Sequence, residues 1–165
     1  MAEICSRVSI LGVKIDNVTI GEAVQRIRAW IKAGGPHLVV TCNPEMVMTA
    51  AIDQLLAEIL RRADLVVPDG IGVVWASRVL RRPVAERVPG IELMEAALAA
   101  AAREGWRVFL LGGEPGVAAR AAQAMCTAFP GLRIVGEHHG FFTRQEEPEV
   151  LERIRQAEPQ LLLLA

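Results

Sequence analysis

A chain of 165 residues fits one domain, and at this size about 68–70% of the unfolded chain's surface is buried on folding. Its composition is 52% hydrophobic with a formal net charge of −1 and mean hydropathy +0.32. That charge speaks against a nucleic-acid surface, and no window offers the ~18 uninterrupted apolar residues of a spanning helix. Three widely spaced cysteines, Cys5, Cys42 and Cys126, make neither a disulfide framework nor a zinc pattern. An N-terminus (Met1 to Arg7) that carries an acidic residue and no apolar leader core predicts a cytosolic chain.

Ser9–Leu11 and Val13–Ile15 read as short strands about Gly12, a small β-hairpin followed by an Asp16-Asn17 turn. Thr19 caps a helix carrying Ile20, Val24, Ile27 and Ile31 at helical spacing, which stops at Gly34-Gly35-Pro36. After a β-rich run from His37 to Val40, Asn43 is a good N-cap and Pro44 suits the first helical position. Met46, Val47, Ala50, Ala51 and Leu55 then continue on one face. Leu65–Val67 is the next strand, followed by Pro68-Asp69-Gly70 and a helix from Gly72 to Leu80. Arg81-Arg82-Pro83 breaks the chain, and Glu86–Gly90 forms a polar loop before an alanine-rich helix from Ile91 to Arg103. A strand at Arg107–Leu111 runs into Gly112-Gly113-Glu114-Pro115-Gly116 and a helix from Val117 to Phe129. Leu132–Val135 reads as a strand, Gly136–Phe142 as a loop, Glu146–Gln156 as a polar helix, and Leu161–Ala165 as one more buried strand.

Alternating helices and near-continuous apolar strands are the mark of a parallel sheet covered on both faces. The fold expected is α/β, a Rossmann-like parallel sheet flanked by helices with a small N-terminal β-hairpin. Right-handed crossovers then bring Thr41, Asn43, Asp69, Gly112 and Gly113 out on one carboxyl edge, where ligands bind in open α/β sheets.

Each of these residues also has a plain structural reading. Asp69, between an apolar strand and two glycines, is either a chemical carboxylate or a turn or cap residue, since Asp-Gly is a common turn pair. Gly70 and Gly72 would let backbone approach a ligand. Gly112, Gly113 and Glu114 stand at a helix N-terminus, which favours phosphate, or form an ordinary turn. Capping alone explains Asn43, and Thr41 is equally the polar end of a strand. Arg87 has a surface ion pair with Glu86 as its alternative, and Arg78, Arg81 and Arg82 read as a solvated basic face. His138-His139 point apart and lack further ligands, so no metal is expected. Neither a nucleophile elbow nor a cysteine with a histidine partner is present.

Five segments taken together, Leu11–Thr19, Thr41–Glu45, Ala63–Val73, Glu86–Gly90 and Leu111–Gly116, resemble the WecG/TagA/CpsF glycosyltransferase family, in order and over nearly the whole chain. The resemblance implies transfer of N-acetylmannosamine or a related hexose from a UDP-sugar to an undecaprenyl-diphosphate-linked sugar at the inner face of the bacterial membrane, for teichoic acid or exopolysaccharide synthesis. It further implies an inverting reaction with Asp69 as general base, Thr41 and Asn43 orienting the sugars, Arg87 and Gly70 on the substrate, and Gly112, Gly113 and Glu114 on the nucleotide, with no metal or cofactor.

Family members continue for several dozen residues, with a Gly-x-Pro-x-Gln-Glu type loop and an arginine-bearing helical segment that contacts membrane and diphosphate. Residues 1–165 therefore read as a single glycosyltransferase domain lacking that segment, through which peripheral membrane contact is expected. The competing reading is a non-catalytic nucleotide-binding or assembly module. A dehydrogenase is weakened because the first strand-helix turn lacks the dinucleotide fingerprint. So apolar a body also predicts an exposed patch and a homo-oligomer.

Overall fold

Residues 7–165 are described by the computed structural model, and they belong to two units, Met1–Ala96 and Ala97–Ala165. Of the N-terminal stretch read above for a leader, residues 1–6, with Cys5, lie outside the described residues. The architecture is mixed α/β: an antiparallel hairpin, then parallel sheets flanked by seven helices among the described residues.

In the first unit β1 (Arg7–Ile10) and β2 (Val13–Asp16) pair antiparallel, with Ile10 opposite Val13. Only Leu11 and Gly12 connect them, at φ 47° and 88°, the positive-φ pair that two-residue hairpins need to match strand twist. Val8, Ile10, Val13 and Ile15 are all buried, the alternation expected of a half-covered hairpin.

Helix α1 (Ile20–Ala33) opens with a full capping box: Glu22 N–H donates to Thr19 Oγ1 at 3.2 Å, and Thr19 N–H to Glu22 Oε2 at 2.7 Å. β3 (Val39–Cys42) and β4 (Leu65–Pro68) form a parallel pair in which Thr41 faces Val67 and Cys42 faces Pro68. Every residue of β4 is buried.

Between these strands the single helical run expected through Leu55 is two helices, α2 (Pro44–Ala50) and α3 (Gln54–Arg62). The break comes from Asp53, whose Oδ1 accepts the N–H groups of Leu55 and Leu56 at 2.9 and 3.1 Å. A short carboxylate competing for backbone donors starts a new helix instead of continuing an old one. α4 (Ile71–Val79) follows β4, and α5 (Gly90–Glu104) carries the chain into the second unit.

The second unit is built on β5 (Arg107–Leu111), central in the all-parallel order β6-β5-β7 with β6 (Arg133–His138) and β7 (Leu161–Leu164). Helices α6 (Val117–Ala128) and α7 (Glu147–Ala157) supply the crossovers. β6 runs three residues further than the sequence suggested, because Gly136 is not a loop glycine. A Cβ there would stand 2.5 Å from Phe109 Cε2, so the missing side chain makes room for the buried ring of β5 at a register shift between Val108 and Phe109. β7, expected to be wholly buried, instead alternates, with Leu162 and Leu164 exposed.

Candidate active site

The parallel register of β3 and β4 sends both strands out side by side. Asp69 N–H donates to Cys42 O at 2.9 Å, extending the ladder one step, so Thr41, Asn43 and Asp69 come together at the carboxyl ends. Asn43 does cap α2, its Oδ1 accepting Met46 N–H at 2.8 Å with Pro44 in the first turn.

Asp69 does not cap its own helix. The N-cap of α4 is Gly70, at φ 84°, with no side-chain bond. The carboxylate turns away instead, and its Oδ2 accepts the N–H of Gly90, the first residue of α5, at 3.2 Å. Among the described residues this is the bond made to the carboxylate, so Oδ1 remains for another donor. The positive end of the α5 dipole favours negative charge at that point.

Gly70 and Gly72 serve packing between the two turns. A Cβ on Gly70 would lie 3.0 Å from Pro44 Cδ, and one on Gly72 would lie 2.7 Å from Pro44 Cγ. The space read from sequence as room for a ligand's approach is filled by the Pro44 ring. A Cβ on Gly90 would likewise meet Thr41 Oγ1 at 3.1 Å, which puts Thr41 next to the Gly90–Asp69 bond.

The loop before α5 reaches this site. Ala85 N–H donates to Asn17 Oδ1 at 2.6 Å, and Ile20 N–H to Glu86 Oε1 at 2.5 Å. Val88 N–H donates to Pro68 O at 2.7 Å, and Gly90 closes the series on Asp69. Glu86 is thus engaged with the start of α1, and the ion pair of exposed Arg87 is with Glu92, Nη2 to Oε1 at 3.3 Å; the alternative pairing with Glu86 is not made. The residues that sequence reasoning missed are Asn17, Glu86, Val88 and Gly90. Glu86 through Gly90 stood in one recognisable segment, but nothing local marks their partners.

Cys42, buried beneath the turn, is no nucleophile: burial pushes its thiol up to about 11, and the Asp69 carboxylate adds to the shift. Deprotonating it would place a second negative charge beside Asp69.

In the second unit, Gly112, Gly113 and Glu114 follow β5. Gly112 N–H donates to His138 O at 3.0 Å and Gly140 N–H to Gly113 O at 2.8 Å. A Cβ on Gly112 would fall 2.0 Å from Ala165 O, so only glycine fits between the strand ends. Glu114 is exposed, and Glu114 O accepts Val117 N–H at 2.9 Å as α6 begins.

His138 and His139, expected to point apart, lie with ring centroids 4.4 Å from each other. His138 Nδ1 is 2.8 Å from His139 O. Among the described residues no three His, Cys, Asp or Glu side chains gather as a metal site, and no helix is long and apolar enough to cross a membrane.

The profile described as "Glycosyl transferase WecG/TagA/CpsF family" matches residues 8–165. The chain is also similar to N-acetylglucosaminyldiphosphoundecaprenol N-acetyl-beta-D-mannosaminyltransferases of Staphylococcus aureus. The proteins of strains NCTC 8325 / PS 47 and MRSA252 are each 35% identical over 161 residues, covering 96% of this chain and 63% of theirs. The chain therefore spans about 63% of the length of these relatives.

Proposed function

The chain belongs to the WecG/TagA/CpsF glycosyltransferase family, and from that membership we propose that it transfers N-acetylmannosamine from a UDP-sugar to an N-acetylglucosaminyl-diphosphate on a polyprenol carrier. The observation that carries this reading is the carboxylate of Asp69 at the β4–α4 turn, held through Oδ2 by Gly90 N–H with Oδ1 left for an acceptor hydroxyl. Asp69 takes the hydroxyl proton as that oxygen attacks the anomeric carbon, the bond to the donor's diphosphate breaks, and UDP leaves with the electron pair, inverting the centre. A base within hydrogen-bond reach of the hydroxyl contributes typically about 10²–10⁴ in rate.

Thr41 and Asn43, at the neighbouring strand end, orient the sugars. Arg87, on a loop fastened beside Asp69, supplies positive charge to a diphosphate once it leaves Glu92. Gly112, Gly113 and Glu114 hold the nucleotide near the start of α6, whose N-terminus suits phosphate. The names of the relatives support the acceptor class.

Two measurements test the reading. UDP raises the melting temperature, whereas NAD does not; no shift with UDP removes the donor site. Asp69→Asn, which preserves a hydrogen-bond acceptor for Gly90, abolishes transfer to a synthetic N-acetylglucosaminyl-diphospholipid while keeping the UDP shift. Transfer at the parent rate removes Asp69 from the mechanism, and UDP binding without any transfer by the parent leaves a nucleotide-binding module.

A further inference from the structure

Helix α4 leaves the site with an unusual outward face. Val73, Val74 and Ser77 are buried on one side, and Ser77 fixes that side further by donating to Val74 O at 2.7 Å and accepting Val84 N–H at 3.2 Å. The opposite side carries Ile71, Trp75 and Val79, at successive i, i+4 positions, exposed by 75%, 66% and 59%. Arg78, three residues beyond Trp75, shares that face, and exposed Leu80, Arg81 and Arg82 follow. From Gly70 to Ala85 the sequence holds these three arginines and no acidic residue.

We infer that the outward face of α4 is a docking surface for an anionic lipid bilayer, with Trp75 inserted at the headgroup level and Arg78, Arg81 and Arg82 on the phosphates. Charge decides the occupant. Packing this face on a second copy across a two-fold axis would bring like-charged arginines together with no carboxylate between them, whereas an anionic leaflet satisfies the arginines and the apolar stripe at once.

The inference deepens the reading above and rests on its lipid-linked acceptor. Ile71 is two residues from Asp69, so a leaflet on α4 holds the base at the end of the helix nearest the membrane-borne sugar. It also gives this segment a membrane contact of its own, apart from any the relatives make with the rest of their length.

The experiment is co-flotation of the protein with vesicles of phosphatidylglycerol and phosphatidylcholine against vesicles of phosphatidylcholine alone. Binding is expected only to the anionic vesicles and weakens as salt is added. The double change Arg78→Gln and Arg82→Gln lowers the partition coefficient about 25-fold, at roughly fivefold per arginine. Trp75→Ala lowers it further, and the blue shift of emission on vesicle addition disappears in Trp75→Phe. Equal binding to neutral vesicles, undiminished binding by the arginine variant, or no vesicle binding overturns the proposal. So does a dimer that Trp75→Ala dissolves. All these side chains are exposed, so the variants keep the parent's melting temperature and its UDP shift. Absence of a UDP shift in the parent counts against the transferase reading alone, while vesicle binding is read independently of it.

Discussion

Replacing Gly72 by alanine sets two effects of known sign against each other. Gly72 lies in the first turn of α4, where alanine's helix propensity would favour the change by up to about 1 kcal/mol. Against this, its Cβ would stand 2.7 Å from Pro44 Cγ and 3.4 Å from Pro44 Cβ. A proline ring cannot rotate out of the way, so α2 or α4 must shift, which costs about 1–3 kcal/mol. The single variant is therefore expected to be destabilised, and its partner predicts the cure. Pro44→Ala removes Cγ and leaves the 3.4 Å contact, which is ordinary packing. In that background Gly72→Ala becomes neutral or stabilising, for an interaction energy of about 1–3 kcal/mol across the cycle. Urea unfolding of the four proteins measures it, with equal slopes required for the comparison. Additivity within about 0.5 kcal/mol would refute the claim that the two turns are pressed together through this ring.

Other outcomes follow from single contacts. Asp16 is buried and accepts Arg7 Nε and Val66 N–H, each at 2.9 Å; Asp16→Ala orphans that N–H and costs about 2–4 kcal/mol. Its Tm should fall by about 4–16 °C, at about 2–4 °C per kcal/mol, and by less in Asp16→Asn, which keeps an acceptor; equal Tm values for parent and Ala variant would rule out the bond's importance. In a Cys5→Ser background, iodoacetamide at pH 8 modifies exposed Cys126 and spares Cys42, which is buried with its thiol pushed up to about 11; labelling of both at similar rates in native protein, read by mass spectrometry, contradicts this. Hydrogen bonds from Arg61 and Arg62 hold Glu58 down to about 2 from 4.5. Any stability it contributes is full above the unfolded value and is lost as pH falls through 4.5 toward 2. A carboxyl-carbon NMR midpoint near 4.5 would show the pairing does not persist in solution.

Much of the local structure around the candidate site was legible because its residues announce themselves locally. An apolar run ending at Pro68-Asp69-Gly70 marks a strand-to-helix turn, and Asn43-Pro44 marks a helix start by capping chemistry that needs only the next three residues. What Asp69 does with its carboxylate was not legible. Gly90 is 21 residues away, and no period or propensity links the two. The same holds for Ala85 on Asn17, 68 residues apart, and for Glu86, which serves α1 while Arg87 takes Glu92. Asp53 shows the converse case, a local signal overlooked because the apolar face on either side of it ran on.

Burial periodicity and turn chemistry act over a few residues, so the strands in their order, the parallel α/β class with its hairpin, and the polar residues at strand ends could be read from the chain. What those residues touch depends on the packed fold. Gly72 exists for Pro44, Gly136 for Phe109, and Asp69 holds Gly90, because which chain segments lie side by side is set by burying the apolar strands, and that is a property of the whole core.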